Sequence, residues 1–213
     1  MKCDSCGIKM QPVVCVDIDG TLAAYHRHLA QFVCRYYDLE EYPGTPTWKG
    51  DGNFEDWLGI TQDQYRIAKL AFRQGGMKRT MPIYAGASSM MDKFRLAGLE
   101  IWITTTRPWQ RLDGVDPDTQ HWLSRNNIPY DHLLYDDHKY ERVKEIVGKD
   151  RIIAVIEDLP EYYDEAHAVG LRPFQVERMH NSHPTQQRPV RGTLVQATQY
   201  TITNLRRWHE RKV

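Results

Sequence analysis

Apolar residues in this chain gather in short blocks separated by amphipathic stretches. Val13-Val14-Cys15-Val16, Ile101-Trp102-Ile103-Thr104, Leu133-Leu134-Tyr135, Ile152–Ile156 and Pro173–Val176 are brief and largely apolar. They read as buried strands. The segments between them carry helical spacing and helix punctuation. Ala87–Ala97 ends at Gly98, Tyr140–Val147 at Gly148, and Pro160–Val169 at Gly170. Asp116 is expected to cap a helix with Pro117 at its first position, running to about Arg125. Strands alternating with helices predict an α/β fold, a Rossmann-like parallel sheet with helices on both faces.

One interval breaks the alternation. Between the first strand and Tyr84 lie about sixty residues with no strand pattern. Leu29, Phe32, Val33 and Tyr36 recur at helical spacing, predicting a helix over Tyr25–Tyr37. Residues 42–53 are rich in Gly, Pro and Asn and read as loop. Thr61-Gln62-Asp63-Gln64 fits a capping box opening a helix to about Arg73, and Gly75-Gly76 ends it. The expected organisation is therefore an appendage at 1–12, a core of 13–21 and 84–177, a helical cap insert at 22–83, and a tail at 178–213 with a helix near Gln196–Arg211.

Composition narrows the class. The chain has 213 residues, and 28 Lys+Arg balance 28 Asp+Glu, so no global basic field points to nucleic acid. No run reaches the ~20 apolar residues of a membrane span, and the N-terminus lacks the apolar core of a signal peptide. Four cysteines do not make a disulfide framework in a chain this long. The expectation is a soluble cytoplasmic protein.

Candidate chemistry collects at the predicted strand ends. Asp17-Ile18-Asp19-Gly20-Thr21 follows the first strand. Thr105-Thr106-Arg107 follows the second, Lys139 and Lys144 follow the third, and Glu157-Asp158 ends the fourth. In open α/β sheets, sites lie beyond the carboxyl ends of strands. Taken alone, an Asp-Gly at a strand end is a turn cap, Arg107 a solvated cation, Asp158 a helix N-cap, and either lysine an ordinary surface residue.

In this order and context the residues resemble the haloacid dehalogenase superfamily of phosphotransferases. The resemblance covers about 13–177, and its first motif, Asp-x-Asp-Gly-Thr after an apolar strand, is the specific part. It implies that Asp17 is a nucleophile forming an aspartyl-phosphate, and that Asp19 is the acid/base. Gly20 would let the chain turn, and Thr21 would steady that turn near the substrate. Thr105 would meet the transferring phosphoryl group, with Thr106 and Arg107 as further phosphate contacts. Arg107 resembles the arginine of phage polynucleotide phosphatases, with Thr106 where that group has glycine. Lys144, on the pattern of those phosphatases, is preferred as the catalytic lysine. Lys139, which better resembles the lysine of deoxyribonucleotidases, is a substrate contact. The implied cofactor is Mg2+, held by Asp17, Asp19 through its backbone carbonyl, and Asp158, with Glu157 outside that shell.

A helical insert after the first motif implies a lid over a small phosphorylated substrate. The insert is rich in aromatics, and Trp48 and Trp57 are expected to stack on a base. Gly76-Met77 and Pro82–Ala87 also resemble short stretches of 5′(3′)-deoxyribonucleotidases. The expected activity is a phosphomonoesterase acting on nucleoside or deoxynucleoside monophosphates. A nucleic-acid 3′-phosphatase is the rival reading, and a receiver-like or binding module a remote one. Cys3-x-x-Cys6 is half a zinc site that His180 and His183 could complete. The basic tail (Arg188, Arg191, Arg206, Arg207, Arg211, Lys212) offers a solvated face, a homodimer contact or a nucleic-acid contact.

Overall fold

The computed structural model describes residues 11–39, 48, 50 and 52–211. The Cys3/Cys6 expectation, Lys212 and most of the 42–53 loop lie outside them. Six parallel strands form one sheet: β1 (Val13–Val16), β2 (Glu100–Thr105), β3 (His132–Tyr135), β4 (Ile152–Glu157), β5 (Pro173–Val176) and β6 (Arg191–Gly192). Their order is β3-β2-β1-β4-β5-β6. The order reverses at β1, so a crevice opens between the carboxyl ends of β1 and β4, where such sheets bind ligands.

Both faces of the sheet are buried, which is why β1 is apolar at every position. Val14 and Val16 join one core with Ile101, Ile103, Phe94 and Trp122, while Val13 and Cys15 join a second with Trp102, Tyr140 and Val143. This is the period-two alternation of a strand with packed layers on each side. The helices that cover it are α4 (Ala87–Leu96), α5 (Val115–Arg125), α6 (Lys139–Val147), α7 (Pro160–Ala168) and α8 (Leu194–Glu210). Among the described residues no helix is long and apolar enough to cross a membrane.

The insert carries α1 (Tyr25–Tyr36), α2 (Phe54–Leu58), α3 (Gln62–Gln74) and a 3-10 turn, Met77–Thr80. Its two ends are tied together. Ala23 pairs antiparallel with Ile83, Ala24 N–H donates to Pro82 O at 2.8 Å, and Tyr84 N–H donates to Leu22 O at 2.8 Å. The return strand is pinned again where Trp122 Nε1 donates to Met81 O at 2.7 Å. Thr61 forms the expected capping box with Gln64.

Three elements differ from expectation. The α5 helix starts at Val115 after Gly114, not at an Asp116 cap. Asp116 is engaged by side chains instead, accepting from Tyr135 Oη at 2.7 Å and Gln120 Nε2 at 2.9 Å. The α2 helix sits where no helix was expected. Beyond 177 the chain adds β6 to the sheet, and α8 buries Leu194, Ala197, Leu205 and Trp208 against the core. Residues 178–181 fold over the end of β1: Arg178 donates to Gly20 O at 2.9 Å and Thr21 O at 2.7 Å.

Candidate active site

A cavity of about 370 Å3 opens at the carboxyl ends of β1, β2 and β4. Asp17, Asp19, Thr105, Thr106, Arg107, Lys139 and Glu157 line it from the sheet side. From the cap side come Tyr25, His26, Tyr65, Lys69, Arg73 and Lys78.

The charges are organised in two groups. In the first, Lys139 Nζ lies 2.6 Å from Asp17 Oδ1 and 2.7 Å from Glu157 Oε2. Glu157 also accepts from Tyr140 Oη at 2.6 Å and from the N–H groups of Asp158 and Leu159 at 3.0 and 3.1 Å. Asp17, Lys139, Tyr140, Glu157 and Asp158 are all buried. Burial disfavours charge on the Asp17 carboxyl, and Glu157 and Asp158 add repulsion, so its pKa stands well above the usual range despite Lys139. Burial opposes charge on Lys139 too, but Asp17 and Glu157 outweigh it and raise its pKa.

In the second group, Arg107 grips Asp19 at two points, Nη2 to Oδ1 at 2.6 Å and Nε to Oδ2 at 3.0 Å. Lys78 Nζ also bonds Asp19 Oδ2, and lies 4.2 Å from the centre of the Tyr25 ring. Burial works against the Asp19 charge, but Arg107 and Lys78 prevail and hold its carboxyl well below the usual range. Lys78 is 3% exposed. Burial, with repulsion from Arg107 and Arg73, pushes its ammonium down to about 7 although Asp19 favours the charge.

Asp158 lies behind this wall. Its Oδ1 accepts from Thr21 Oγ1 at 2.8 Å, and its Oδ2 is 2.6 Å from His180 Nε2. Gly20 has φ +103°, and a Cβ there would come within 2.0 Å of Asp158 Oδ2. Glycine is thus required both by the backbone and by the carboxylate packed on it. Burial first, then Glu157, raises the Asp158 pKa well above the usual range. Carboxylate oxygens of Asp17, Glu157 and Asp158 lie within 4.8 Å of one another. Lys139 pairs with Asp17 and Glu157 of this trio, while Asp158 is held by Thr21 and His180. Three hard, buried oxygen donors, two of them sharing one ammonium, fit a divalent ion such as magnesium.

Several expected positions are corrected by this geometry. The structure brings Lys139, not Lys144, to Asp17. Lys144 is half-buried and does not line the cavity. Five residues along a helix turn a side chain about 140° around the axis, so one face cannot present both. Thr21 is fully buried and reaches Asp158 rather than the cavity. Trp57 packs 5.5 Å from Phe54 against the core and lines neither cavity described here. Trp48 lines a second, more apolar cavity of about 570 Å3, with His26, Phe54, Tyr84, Arg178 and His180. His26 borders both cavities.

Lys78, Lys69, Arg73 and His180 were not singled out as parts of this site. Tyr65, Lys69 and Arg73 recur every four residues and so share one face of α3, a periodicity visible without coordinates. Nothing local marks Lys78 or ties His180 to Asp158.

No protein-family model matches the sequence, and no curated protein is significantly similar to it. Solved structures do match its shape. A predicted phosphoglycolate phosphatase from Haemophilus somnus superimposes with a TM-score of 0.62 at 14% identity, over 92% of this chain and 100% of the other. A haloacid dehalogenase-like hydrolase from Streptococcus pneumoniae gives 0.57 at 13%, over 91% and 99%. A hydrolase of the same family from Deinococcus radiodurans, solved with bound phosphate and sodium, gives 0.57 at 16%, over 88% and 93%. Matching them in shape over most of its length, the chain has the fold of the haloacid dehalogenase-like hydrolases.

Proposed function

We propose that the chain is a magnesium-dependent phosphomonoesterase working through an aspartyl-phosphate on Asp17, with nucleoside or deoxynucleoside monophosphates as substrates. The observation that carries it is the pairing of Lys139 with Asp17 beside Arg107 and Lys78 on Asp19, in one cavity at the switch point of the sheet. A nucleophilic carboxylate, an acid/base carboxylate and cations suited to a phosphate all face the same small volume.

Asp17, Asp158 and the backbone carbonyl of Asp19 would hold the magnesium, which when bound draws negative charge off the phosphoryl oxygens. With Lys139 and a bound cation favouring its carboxylate over the neutral acid, Asp17 attacks phosphorus as the bond to the leaving oxygen breaks. Arg107 suits the phosphate through its planar pair of donors. As phosphate oxygens draw Arg107 and Lys78 away from Asp19, its proton affinity rises toward that of a working acid. Asp19, having taken up a proton from solvent, then passes it to the leaving oxygen, and next takes a proton from the water that hydrolyses the aspartyl-phosphate. Thr105 and Thr106 border the phosphoryl position, and Lys139 keeps Asp17 oriented.

The aromatic cavity supports the nucleotide reading. It adjoins the charged one at His26, and Trp48 Nε1 there is buried without a hydrogen-bond partner among the described residues. A base carbonyl or ring nitrogen would supply the missing acceptor. A phosphate-release screen over nucleoside monophosphates, sugar phosphates and 3′-phosphorylated oligonucleotides tests this. Nucleotides should lead. Faster hydrolysis of oligonucleotide ends would favour end processing.

A further inference from the structure

The cap contributes positive charge that the reaction outlined above does not use. On α3, Tyr65, Lys69 and Arg73 occupy the same face and line the cavity that holds Asp17. Ala68 and Phe72 are the buried residues of α3, and Tyr65, Lys69 and Arg73 flank them half-buried, at the cavity, while Arg66, Ile67 and Leu70 are exposed.

Every other cation lining that cavity has a carboxylate partner. Lys139 is held by Asp17 and Glu157, Lys78 and Arg107 by Asp19, and Arg111 by Asp137 at 3.5 Å. Among the described residues, Lys69 and Arg73 form no ion pair. Lys69 lies 5.1 Å from the centre of the Tyr65 ring. Arg73 Nε is buried and has no hydrogen-bond partner among the described residues. Two like charges four residues apart on a helix repel. Burial first, then Arg73, lowers the Lys69 pKa, against weaker support from Asp19 and Glu55. An unpaired buried donor and an uncompensated pair of cations facing a cavity call for an oxyanion.

We infer that Lys69 and Arg73 form a second oxyanion subsite, which receives a phosphate or carboxylate group carried elsewhere on the substrate. The inference rests on the proposed phosphomonoesterase reading and extends its substrates beyond simple nucleoside monophosphates. The favoured ones bear one phosphoryl group at Asp17 and a second anionic group toward the cap. Arg73 contributes a fork of donors and Lys69 a point charge, so the subsite accepts either oxyanion.

Binding and turnover separate the two claims. In Asp17→Asn protein with magnesium, isothermal titration compares adenosine 5′-monophosphate, adenosine 3′,5′-bisphosphate and 2-phosphoglycolate. At least one of the two doubly anionic probes should bind tenfold or more tightly than the monophosphate. Which of them gains identifies the second group as phosphate or carboxylate. Lys69→Met and Arg73→Met should each remove most of that advantage, while thermal melts verify the fold. In otherwise wild-type protein the same changes should raise KM for the favoured probe about tenfold and leave p-nitrophenyl phosphate within twofold. Equal affinities for the three probes, or equal losses on p-nitrophenyl phosphate, overturn the subsite. A retained binding preference with no phosphate release by the wild-type protein would sink the phosphomonoesterase reading and leave the subsite standing.

Discussion

Arg107 holds both carboxylate oxygens of Asp19, at 2.6 and 3.0 Å, across the gap between the ends of β2 and β1. The same guanidinium donates from Nη1 to Thr119 Oγ1 at 2.8 Å, so it is fixed from behind by α5. A carboxylate clamped this way stays ionised until something takes its cation. On the proposed function, the phosphate that does so would also be the group about to react, which would couple substrate entry to the proton affinity of Asp19.

Arg107→Lys should therefore be damaging despite keeping the charge, because an ammonium cannot reproduce the two-point grip. Hydrogen bonds to charged groups contribute about 1.5–3 kcal/mol, so kcat/KM should fall by roughly ten- to a hundredfold. Steady-state kinetics measures this, and Arg107→Lys activity within twofold of wild type would remove Arg107 from the site.

Lys139 and Lys144 separate cleanly. Lys139→Met leaves Asp17 and Glu157 without their shared cation, and breaking a buried ion pair costs about 3–5 kcal/mol. Urea unfolding should register that loss alongside loss of turnover. Lys144→Met, at a half-buried position away from the cavity, should stay within about 0.5 kcal/mol of wild type. The reverse ranking would restore the expectation read from the phage-type pattern.

Lys78 sets a pH dependence. Its ammonium is pushed from the ordinary 10.5 down to about 7. Its positive charge at the phosphate is present below that value and lost above it, so kcat/KM should decline on the alkaline side of about pH 7. Stability runs the other way. With a folded pKa below the unfolded one, the folded state binds the proton less readily. This contribution favours folding above 10.5 and is lost as pH falls to about 7. In Lys78→Arg the alkaline decline should move up in pH, since the guanidinium does not deprotonate. An unmoved limb assigns the titration to another group.

Gly20→Ala tests the packing behind the site. The new methyl would sit within 2.0 Å of Asp158 Oδ2 at φ +103°. Positive-φ strain costs of order 1–3 kcal/mol, and overpacking typically 1–3 more, so destabilisation of at least about 2 kcal/mol is expected. Magnesium affinity, read by titration, should weaken as Asp158 is displaced. A variant with wild-type stability and affinity would mean that Asp158 does not pack on Gly20.

The sheet was legible because β1, β2 and β4 are buried on both faces and so largely apolar, and Gly98, Gly148 and Gly170 mark helix ends. Strand β6 was not legible: Arg191-Gly192 is too short for any periodicity and exists only because β5 offers an edge. The Asp17 pentapeptide pointed to the strand end where the charged cavity opens. The choice between Lys139 and Lys144 turned on which helix face meets the sheet, which motif likeness does not encode. Lys78 and His180 were invisible for a different reason. Each reaches its carboxylate from a distant segment, 59 residues from Asp19 and 22 from Asp158, and only tertiary packing unites them.

The central claim is that Asp17 carries the phosphoryl group. Rapid-quench trapping with a [32P]-labelled nucleoside monophosphate and magnesium, followed by peptide mapping, tests it most directly. A label that is stable to acid, released by hydroxylamine, located on the peptide containing Asp17 and absent from Asp17→Asn protein is the predicted result. Turnover with no label at any quench time, or an Asp17→Asn protein that still releases phosphate at near the wild-type rate, would contradict it.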